Sequence, residues 1–463
     1  MTGHTTTAPL ELVNQVTSLR GVFARGRTRE IDWRLRQLRA IEQLLDENED
    51  EIAEALAQDL GRHRAEAWLG DIASSKGEAV FARKHLGKWM KRRRQRLPIN
   101  QLPGSAWVQY EPLGVVLIIA PWNYPVYLAL GPLVAAVAAG NCAVVKPSEL
   151  TPATSALLAR LIPQYLDADA VAVVEGAAET TQQLLSLGFD HVLFTGGTGI
   201  GSKVMAGAAA TLSPVTLELG GKSPVIVTSD ADLEVTARRI AFGRLLNSGQ
   251  TCVAPDYVLV EKPVQDKLVR LIVDSVARFR GGTVTGMRII NERQFDRLVG
   301  YLDATKGTVA VGGRSDRDTL TIEPTVLVDP DPDEPAMTDE IFGPILPVIA
   351  VDSVDEAIEF ANARPKPLAL YVFSGSKETS RRIIDLVPAG GAVVNHVAMH
   401  LLVPQLPFGG VGASGMGDYH GEWGFQTMSH RKAVLTKTTK PDIKLLYPPY
   451  TDRGLKILRR LLG

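Results

Sequence analysis

The sequence predicts an α/β protein built on parallel sheet with helices on both faces, and three observations carry that expectation. From Gly114 onward, short β-branched runs alternate with helical stretches, the rhythm of repeated βαβ units. The run HVLF leads into TGGTGIGSK and then VMAGAAA, the order strand, glycine turn, helix that holds phosphates elsewhere. A length of 463 residues leaves room for two or more domains of ordinary size.

The elements follow in order. After a polar start, Asp32 to Leu56 reads as helix, because Leu35, Leu38, Ile41, Leu45, Ile52 and Leu56 fall near one face. A second helical stretch passes through Trp68, Ile72 and Phe81 and ends in the basic run KWMKRRRQR, expected to be solvated. Extended residues on either side of Pro103-Gly104 suggest a hairpin. From Leu113 to Val145 no residue is charged, a length that suits a membrane span. Pro121, Pro125, Pro132 and Asn123 argue against one, since lipid cannot replace the backbone bonds that proline removes. The segment reads instead as strand GVVLIIA, loop PWNYP, helix GPLVAAVAAG and strand CAVVK.

Beyond it, CAVVK precedes a helix after TPATS, AVAVVEG precedes ETTQQLLSLG, and HVLFT precedes a helix beginning near Gly201. A second α/β stretch contains SPVIVTS, RRIAFGRLL, DYVLVEK, KLVRLIVDSVARF, PTVLVD, LPVIAV, ALYVFS and GAVVNH. The glycine-dense LPFGGVGASGMG reads as a long loop, and LKILRRLLG as a short basic amphipathic helix.

Composition narrows the function classes. A net charge of −1 gives no electrostatic case for nucleic acid. Two cysteines, Cys142 and Cys252, make no disulfide framework and suggest a reducing compartment. No charged-then-apolar leader opens the sequence, so no signal peptide is expected. The eight histidines show no metal-ligand spacing, and no metal is expected.

Three places suit chemistry. The turn Gly196–Gly201 feeds a helix whose free N–H groups and dipole favour a phosphate, though such turns also serve as plain connections. It matches neither G-x-G-x-x-G nor the P-loop order. By spacing alone, Glu218 would be the ribose ligand; Glu149, just past the end of CAVVK beside Lys146, is better placed for a crevice ligand. Cys252, in NSGQTCVAPD, has small and polar neighbours, which suits a reachable nucleophile and equally an inert half-exposed thiol. In TDEIFGP, Glu340 can hold hydroxyls and Phe342 can stack on a flat ring or anchor the loop to the core.

Together, PWNYP, VVKPSE, FTGGTGIG, LELGGKSP, GQTC, EIFGP and LPFGGVGASGMG, in that order, resemble the aldehyde dehydrogenase superfamily over nearly the whole chain. GQTCVAPDYVL, PLALYVFS, MGDYHG with SHRKAVL, and YPPYT make it similar to the class-3, or fatty, branch. The resemblance implies a Rossmann-like NAD(P) domain over 10–97 and 113–219 and a catalytic domain over 220–398. It further implies an oligomerisation element over 98–112 and 426–447, with an amphipathic tail over 448–463. It implies oxidation of medium or long aliphatic or aromatic aldehydes to acids, with NAD and, as an alternative, NADP. Cys252 would be the nucleophile, Glu218 the base that activates water, and Asn123 with the Cys252 N–H the oxyanion donors. Lys146 and Glu149 would face the adenosine ribose. Thr195, Gly196, Gly197, Thr198, Gly199, Ile200 and Gly201 would face the pyrophosphate, and Trp122, Glu340 and Phe342 the nicotinamide half. A homodimer is also implied, while the scarce cysteines suggest a cytoplasmic location and the basic amphipathic tail suggests peripheral membrane contact. A CoA-acylating enzyme is the alternative, disfavoured by the presence of Glu218; a non-catalytic protein on the same fold is a third. Asn395-His396 and Gly421-Glu422 depart from the class-3 pattern of Asn-Asp and Gly-Lys. Gly197 stands where the wider family often has Ser.

Overall fold

The computed structural model describes residues 9–280, 287–442 and 446–462. Of the expected segments, the polar start 1–8, residues 281–286 of the catalytic domain, residues 443–445 of the oligomerisation element and residue 463 of the tail lie outside these.

Two largely parallel sheets organise the chain. In the first, β1 (Val115–Ile119), β2 (Cys142–Lys146), β3 (Val171–Val173), β4 (His191–Thr195) and β5 (Val215–Glu218) stand in the order β5–β4–β1–β2–β3. The chain moves outward from β1 through β3, then returns to the other side of β1 as β4. That reversal opens a crevice at the carboxyl ends of β1 and β4, where ligands of such sheets bind. Trp122 and Asn123 follow β1, Lys146 ends β2 with Glu149 beyond it, and Gly196-Gly197 follow β4. Three candidate segments thus meet at one crevice because of connection order.

The second sheet holds β6 (Pro224–Val227), β7 (Tyr257–Glu261), β8 (Thr308–Val311), β9 (Thr325–Val328), β10 (Ile345–Val351), β11 (Ala369–Phe373) and β12 (Gly391–Val394). Its order is β8–β9–β10–β7–β6–β11–β12, parallel except for the edge strand β8. The short link Leu219–Ser223 crosses from β5 to β6, so Glu218 stands at the passage between the sheets.

The uncharged segment is core. All five residues of β1 and of β2, and all thirteen of helix Tyr127–Ala139, are buried. The helix ends at Gly140, with φ +91, where a Cβ would stand 2.5 Å from the Arg34 guanidinium. Arg34 donates to the carbonyl of Ala138 at 3.1 Å, satisfying a backbone acceptor that the helix end leaves free. No helix among the described residues is long and apolar enough to cross a membrane.

Several boundaries differ from expectation. A helix Pro9–Ala24, burying Leu12, Val16, Leu19 and Val22, precedes the first expected one, which is itself two, Ile31–Glu47 and Glu49–Leu60, divided at Asn48, its apolar face continuing across the break. The antiparallel partner of Gly104–Pro112 is Arg93–Gln95, inside the basic run and outside the expected 98–112 boundary. Those residues remain solvated, but as a strand. Ser429–Lys437 pairs with the other side of Gly104–Pro112 through nine residue pairs and forms an open, mostly exposed edge. The helix after the glycine turn starts at Thr198, three residues before Gly201, because Gly197 already serves as its N-cap. Within the expected loop LPFGGVGASGMG, β13 (Gly415–Met416) pairs antiparallel with β5, placing Gly415 opposite Glu218.

Candidate active site

The approach to Cys252 is a strained turn. After helix Leu233–Leu245, three successive residues take left-handed backbone: Asn247 (φ 52), Ser248 (φ 51) and Gly249 (φ 72). Only glycine enters this region without penalty; the other two cost roughly 1–2 kcal/mol each. Side-chain bonds hold them there. Asn247 Nδ2 donates to the carbonyls of Asn123 (2.9 Å) and Gln250 (3.0 Å). Arg62 donates to Asn247 Oδ1 at 2.7 Å and to the Asn123 carbonyl. Gln250 donates to the carbonyls of Asn247 and Arg288 and accepts from the Ile290 N–H. Arg62 is itself fixed by a fully buried ion pair with Asp71, which accepts from the N–H groups of Val126 and Tyr127 at the start of the core helix. Glycine is required at 249, because a Cβ would lie 2.2 Å from the Gly343 carbonyl. The GQTC and EIFGP segments are thereby packed backbone to backbone.

Asn123 is buried, and its amide donates one N–H to the Gln250 carbonyl at 3.1 Å. Its second amide hydrogen has no partner among the described residues. Tyr124 shares a 3.0 Å hydrogen bond with Thr251, the residue before the cysteine. Burial pushes the Cys252 thiol up to about 12, with Glu340 and Glu218 adding to the rise. Both carboxylates therefore share the thiol's electrostatic surroundings.

Glu218 ends β5 with both carboxylate oxygens buried and without a hydrogen-bond partner. Burial first, and the charge of Asp418 second, raise it well above the ordinary carboxylate range. Such a group exists at neutral pH as the acid, or in contact with a ligand absent from the bare protein. Glu340 sits against Gly220, where a Cβ would meet its Oε2 at 2.1 Å. Burial raises it to about 8. Its loop is held from behind: Arg297 donates to the carbonyls of Glu340 (3.1 Å) and Ile341 (2.7 Å). Lys222, paired with Asp256 at 2.6 Å, donates to the Asp339 carbonyl. Phe342 has φ 48, and its ring meets Trp122 edge-on at 5.3 Å. Phe342 thus stands half-buried against Trp122.

At the glycine turn, Gly197 to Ile200 are exposed, and a Cβ on Gly197 or Gly199 would meet nothing within 4 Å. Helix Thr198–Ala209 has no side-chain cap, so its first N–H groups face this open space. Gly196 and Gly201 serve packing instead: a Cβ at either would strike Phe194 (2.5 Å) or Leu219 (2.6 Å). Thr195 is buried beside Glu218 in register, its hydroxyl unpartnered. Lys146 is buried and donates to the carbonyls of Pro147 (2.9 Å) and Gly176 (2.7 Å) and to Glu149 at 3.2 Å. It positions the half-buried Glu149 rather than presenting a free ammonium. A helix start without a side-chain cap over open space, a braced carboxylate beyond β2 and two rings near it fit a dinucleotide. Among the described residues, no cluster of three His, Cys, Asp or Glu could hold a metal.

Arg62, Asp71, Asn247 and Arg297 were not singled out from the sequence. Arg62 bonds to residues 61 and 185 positions away, and no local pattern signals such partners.

Residues 16–434 match the aldehyde dehydrogenase family. The chain is 47% identical over 444 residues to aldehyde dehydrogenase family 3 member A2 of Rattus norvegicus, covering 95% of this chain and 91% of that protein. It is 46% identical over 448 residues to aldehyde dehydrogenase family 3 member B1 of Homo sapiens, covering 95% of each. A solved structure of the substrate-bound state of Staphylococcus aureus AldH is 41% identical, with a TM-score of 0.93 over 97% of this chain and 99% of that one. An indole-3-acetaldehyde dehydrogenase solved with NAD+ is 27% identical, with a TM-score of 0.85 over 94% and 90% of the two chains.

Proposed function

The chain belongs to the aldehyde dehydrogenase family and is an NAD(P)-dependent enzyme that oxidises aldehydes to carboxylic acids; on that premise we propose how its residues divide the work. Cys252, as thiolate, attacks the aldehyde carbon. The free amide hydrogen of Asn123 and the backbone N–H of Cys252 hold the oxyanion, each such donor being worth about 3–4 kcal/mol of barrier. When bound, the oxidised nicotinamide supplies the hydride acceptor and a positive charge beside the thiol. The thioester left on Cys252 is hydrolysed by water whose proton passes to Glu218. Trp122, Glu340 and Phe342 position the nicotinamide half, and Gly197 to Ile200 the pyrophosphate. The observation that carries this division is Glu218, whose two carboxyl oxygens are buried without a hydrogen-bond partner at the passage between the sheets.

A carboxylate at the ribose favours NAD, since the 2′-phosphate of NADP would oppose the charge of Glu149. Glu149→Gln is expected to raise the NADP-to-NAD ratio of kcat/KM about tenfold, as ~1.4 kcal/mol of relieved repulsion implies. An unchanged ratio would remove Glu149 from the ribose. Medium or long aliphatic or aromatic aldehydes are the proposed substrates, consistent with the buried rings of Tyr127, Phe408 and Tyr419. Steady-state kcat/KM across graded chain lengths, with both cofactors and added CoA, tests the whole reading. Free acid and rising specificity with length are expected; accumulating acyl-CoA would favour the acylating alternative.

The open edge Ser429–Lys437 is proposed to pair with a second copy as a homodimer. Helix Asp452–Leu462 carries Arg453, Lys456, Arg459 and Arg460 beside exposed Leu455 and Ile457, which suits peripheral contact with an anionic membrane from the cytoplasmic side. Light scattering of the full chain, and vesicle sedimentation with and without residues 452–463, check the two proposals; a monomer and equal sedimentation would overturn them.

A further inference from the structure

One guanidinium bonds directly to both halves of the oxyanion pocket and has no part in the scheme above. Arg62 is buried, and its Nη2 donates to the Asn123 carbonyl and, at 2.7 Å, to Asn247 Oδ1. Asn123 carries the amide assigned to the oxyanion, and Asn247 opens the left-handed turn that leads to Cys252. The same two segments are tied to each other. Asn247 Nδ2 donates to the Asn123 carbonyl at 2.9 Å, and the Asn123 amide donates to the Gln250 carbonyl at 3.1 Å.

The guanidinium is held from its other sides as well. Nη1 is paired with Asp71, whose side chain is fully buried. Asp71 Oδ1 in turn accepts from the N–H groups of Val126 (3.0 Å) and Tyr127 (2.9 Å). The ion pair therefore grips the loop after β1 twice, at Asn123 through the arginine and at Val126-Tyr127 through the aspartate. The Tyr124 ring lies over the guanidinium at 4.6 Å, and its hydroxyl shares the 3.0 Å bond with Thr251, next to Cys252. Asp71 belongs to a wide π-helical turn, Trp68–Ile72, set between helices Arg64–Ala67 and Ala73–Trp89. Gly70 on that turn admits the ring, since a Cβ there would stand 2.8 Å from it. Single wide turns of this kind are frequent at functional sites.

Stability does not account for the arrangement. Desolvation cancels most of the attraction within a buried ion pair, and an apolar pair of similar size is often no worse. Arg62 Nε is also buried without a hydrogen-bond partner among the described residues, a further cost. What the pair does supply is fixed geometry. A guanidinium is a rigid, planar fork that reaches several acceptors at set angles, whereas an ammonium is a compact point charge.

We propose that Arg62 and Asp71 are positioning residues for the oxyanion pocket, fixing the Asn123 amide against the Cys252 turn in the geometry that the tetrahedral intermediate requires. The inference rests on Asn123 as the oxyanion donor. Arg62 acts on the reaction through the main chain of Asn123 and the side chain of Asn247, and Asp71 acts by seating Arg62 and the loop. A donor lowers the barrier most when it is already in place as charge develops, because nothing is then spent on reorganising it. The attack on the aldehyde and the hydrolysis of the thioester both place negative charge on the same oxygen, so both half-reactions depend on this seating.

Arg62→Lys keeps the charge beside Asp71 but cannot span the Asn123 carbonyl and Asn247 Oδ1 together. In the full chain, per titratable Cys252, its kcat/KM for aldehyde should fall roughly tenfold to a hundredfold, the scale of a displaced reacting geometry. The burst of reduced cofactor should slow in step, while NAD affinity stays at the wild-type value. Asn123→Ala alone should lower kcat/KM about 10²–10³-fold. In the Asn123→Ala background, Arg62→Lys should cost less than about twofold, because losses that act through one group do not add. A wild-type kcat/KM in Arg62→Lys, or losses that add in full, would overturn the proposal; a role in folding alone predicts the latter. Asp71→Asn keeps an acceptor for the Val126 and Tyr127 N–H groups and should show the same non-additivity; it decides alone if Arg62→Lys does not fold. A wild-type burst in Asn123→Ala would instead refute the assignment of the oxyanion donor and this inference with it, whereas additive losses leave that assignment standing.

Discussion

Replacing Cys252 with alanine is expected to lower kcat/KM for aldehyde oxidation by about ten-thousandfold or more, while leaving dinucleotide binding intact. Removing the nucleophile removes the covalent route, and nucleophile deletions elsewhere cost on this scale. Binding should persist because the residues proposed for the dinucleotide are braced independently: Glu149 by Lys146, and Glu340 and Phe342 by Arg297 and Lys222. The change removes one half-buried sulfur at the edge of the core and adds no atom, so the variant should also fold. Paired measurements of kcat/KM and of NAD affinity by fluorescence titration check this. A retained rate would displace Cys252 from the centre of the reaction.

Glu218→Gln is expected to separate the two halves of the cycle. Steady-state turnover should fall by about 10²–10⁴-fold, the usual weight of a positioned acid–base group. The first equivalent of reduced cofactor should still appear in a burst, because hydride leaves before water attacks. The pH dependence has a definite sign. Burial raises Glu218 well above its ordinary value, so at neutral pH the bare protein holds it as the acid, and the working carboxylate grows as pH rises. Wild-type kcat should therefore climb with pH, and the glutamine variant should lose that climb. A variant that loses the burst together with turnover would place Glu218 before the thioester.

Much of the fold was legible because side-chain pattern and packing agreed. Runs such as VVLII and CAVVK are continuously apolar, and they lie buried on both faces of a parallel sheet. The uncharged segment divided at Pro121 and Pro125 as expected, but its helix starts at Tyr127, ahead of the expected Gly131, and holds Pro132 in its interior. Helix Pro9–Ala24 escaped although its Leu12, Val16, Leu19 and Val22 are buried; the rest of what escaped was structure made by backbone alone. Gly415–Met416 pairs through its main chain and carries no alternation, so its sequence reads as loop. Arg93–Gln95 is a strand solvated on both faces, which composition cannot tell from a tail of charge. The helix start at Thr198 was obscured because glycine gives no helical signal, yet Gly197 is the cap.

Of the candidate site, local order offered the glycine turn and Cys252; Asn123 and the role of Glu218 came through the resemblance, since spacing alone made Glu218 a ribose ligand. Its supports were not legible. Arg62 meets Asn123 and Asn247, and Asp71 meets the N–H groups of Val126 and Tyr127, only after segments far apart in the chain have packed. Their roles belong to the tertiary structure, and motif reading stops short of them.

The late pairing of Gly415–Met416 with the strand that ends in Glu218 bears on how the polypeptide is born. At roughly 5–20 residues per second of synthesis, some 10–40 s separate the two segments at the ribosome. Throughout that interval the nascent sheet shows an unsealed flank, open to any passing strand. Chaperone attendance should concentrate in this window, and chains stalled within it are the ones most exposed to clumping before the enzyme is complete.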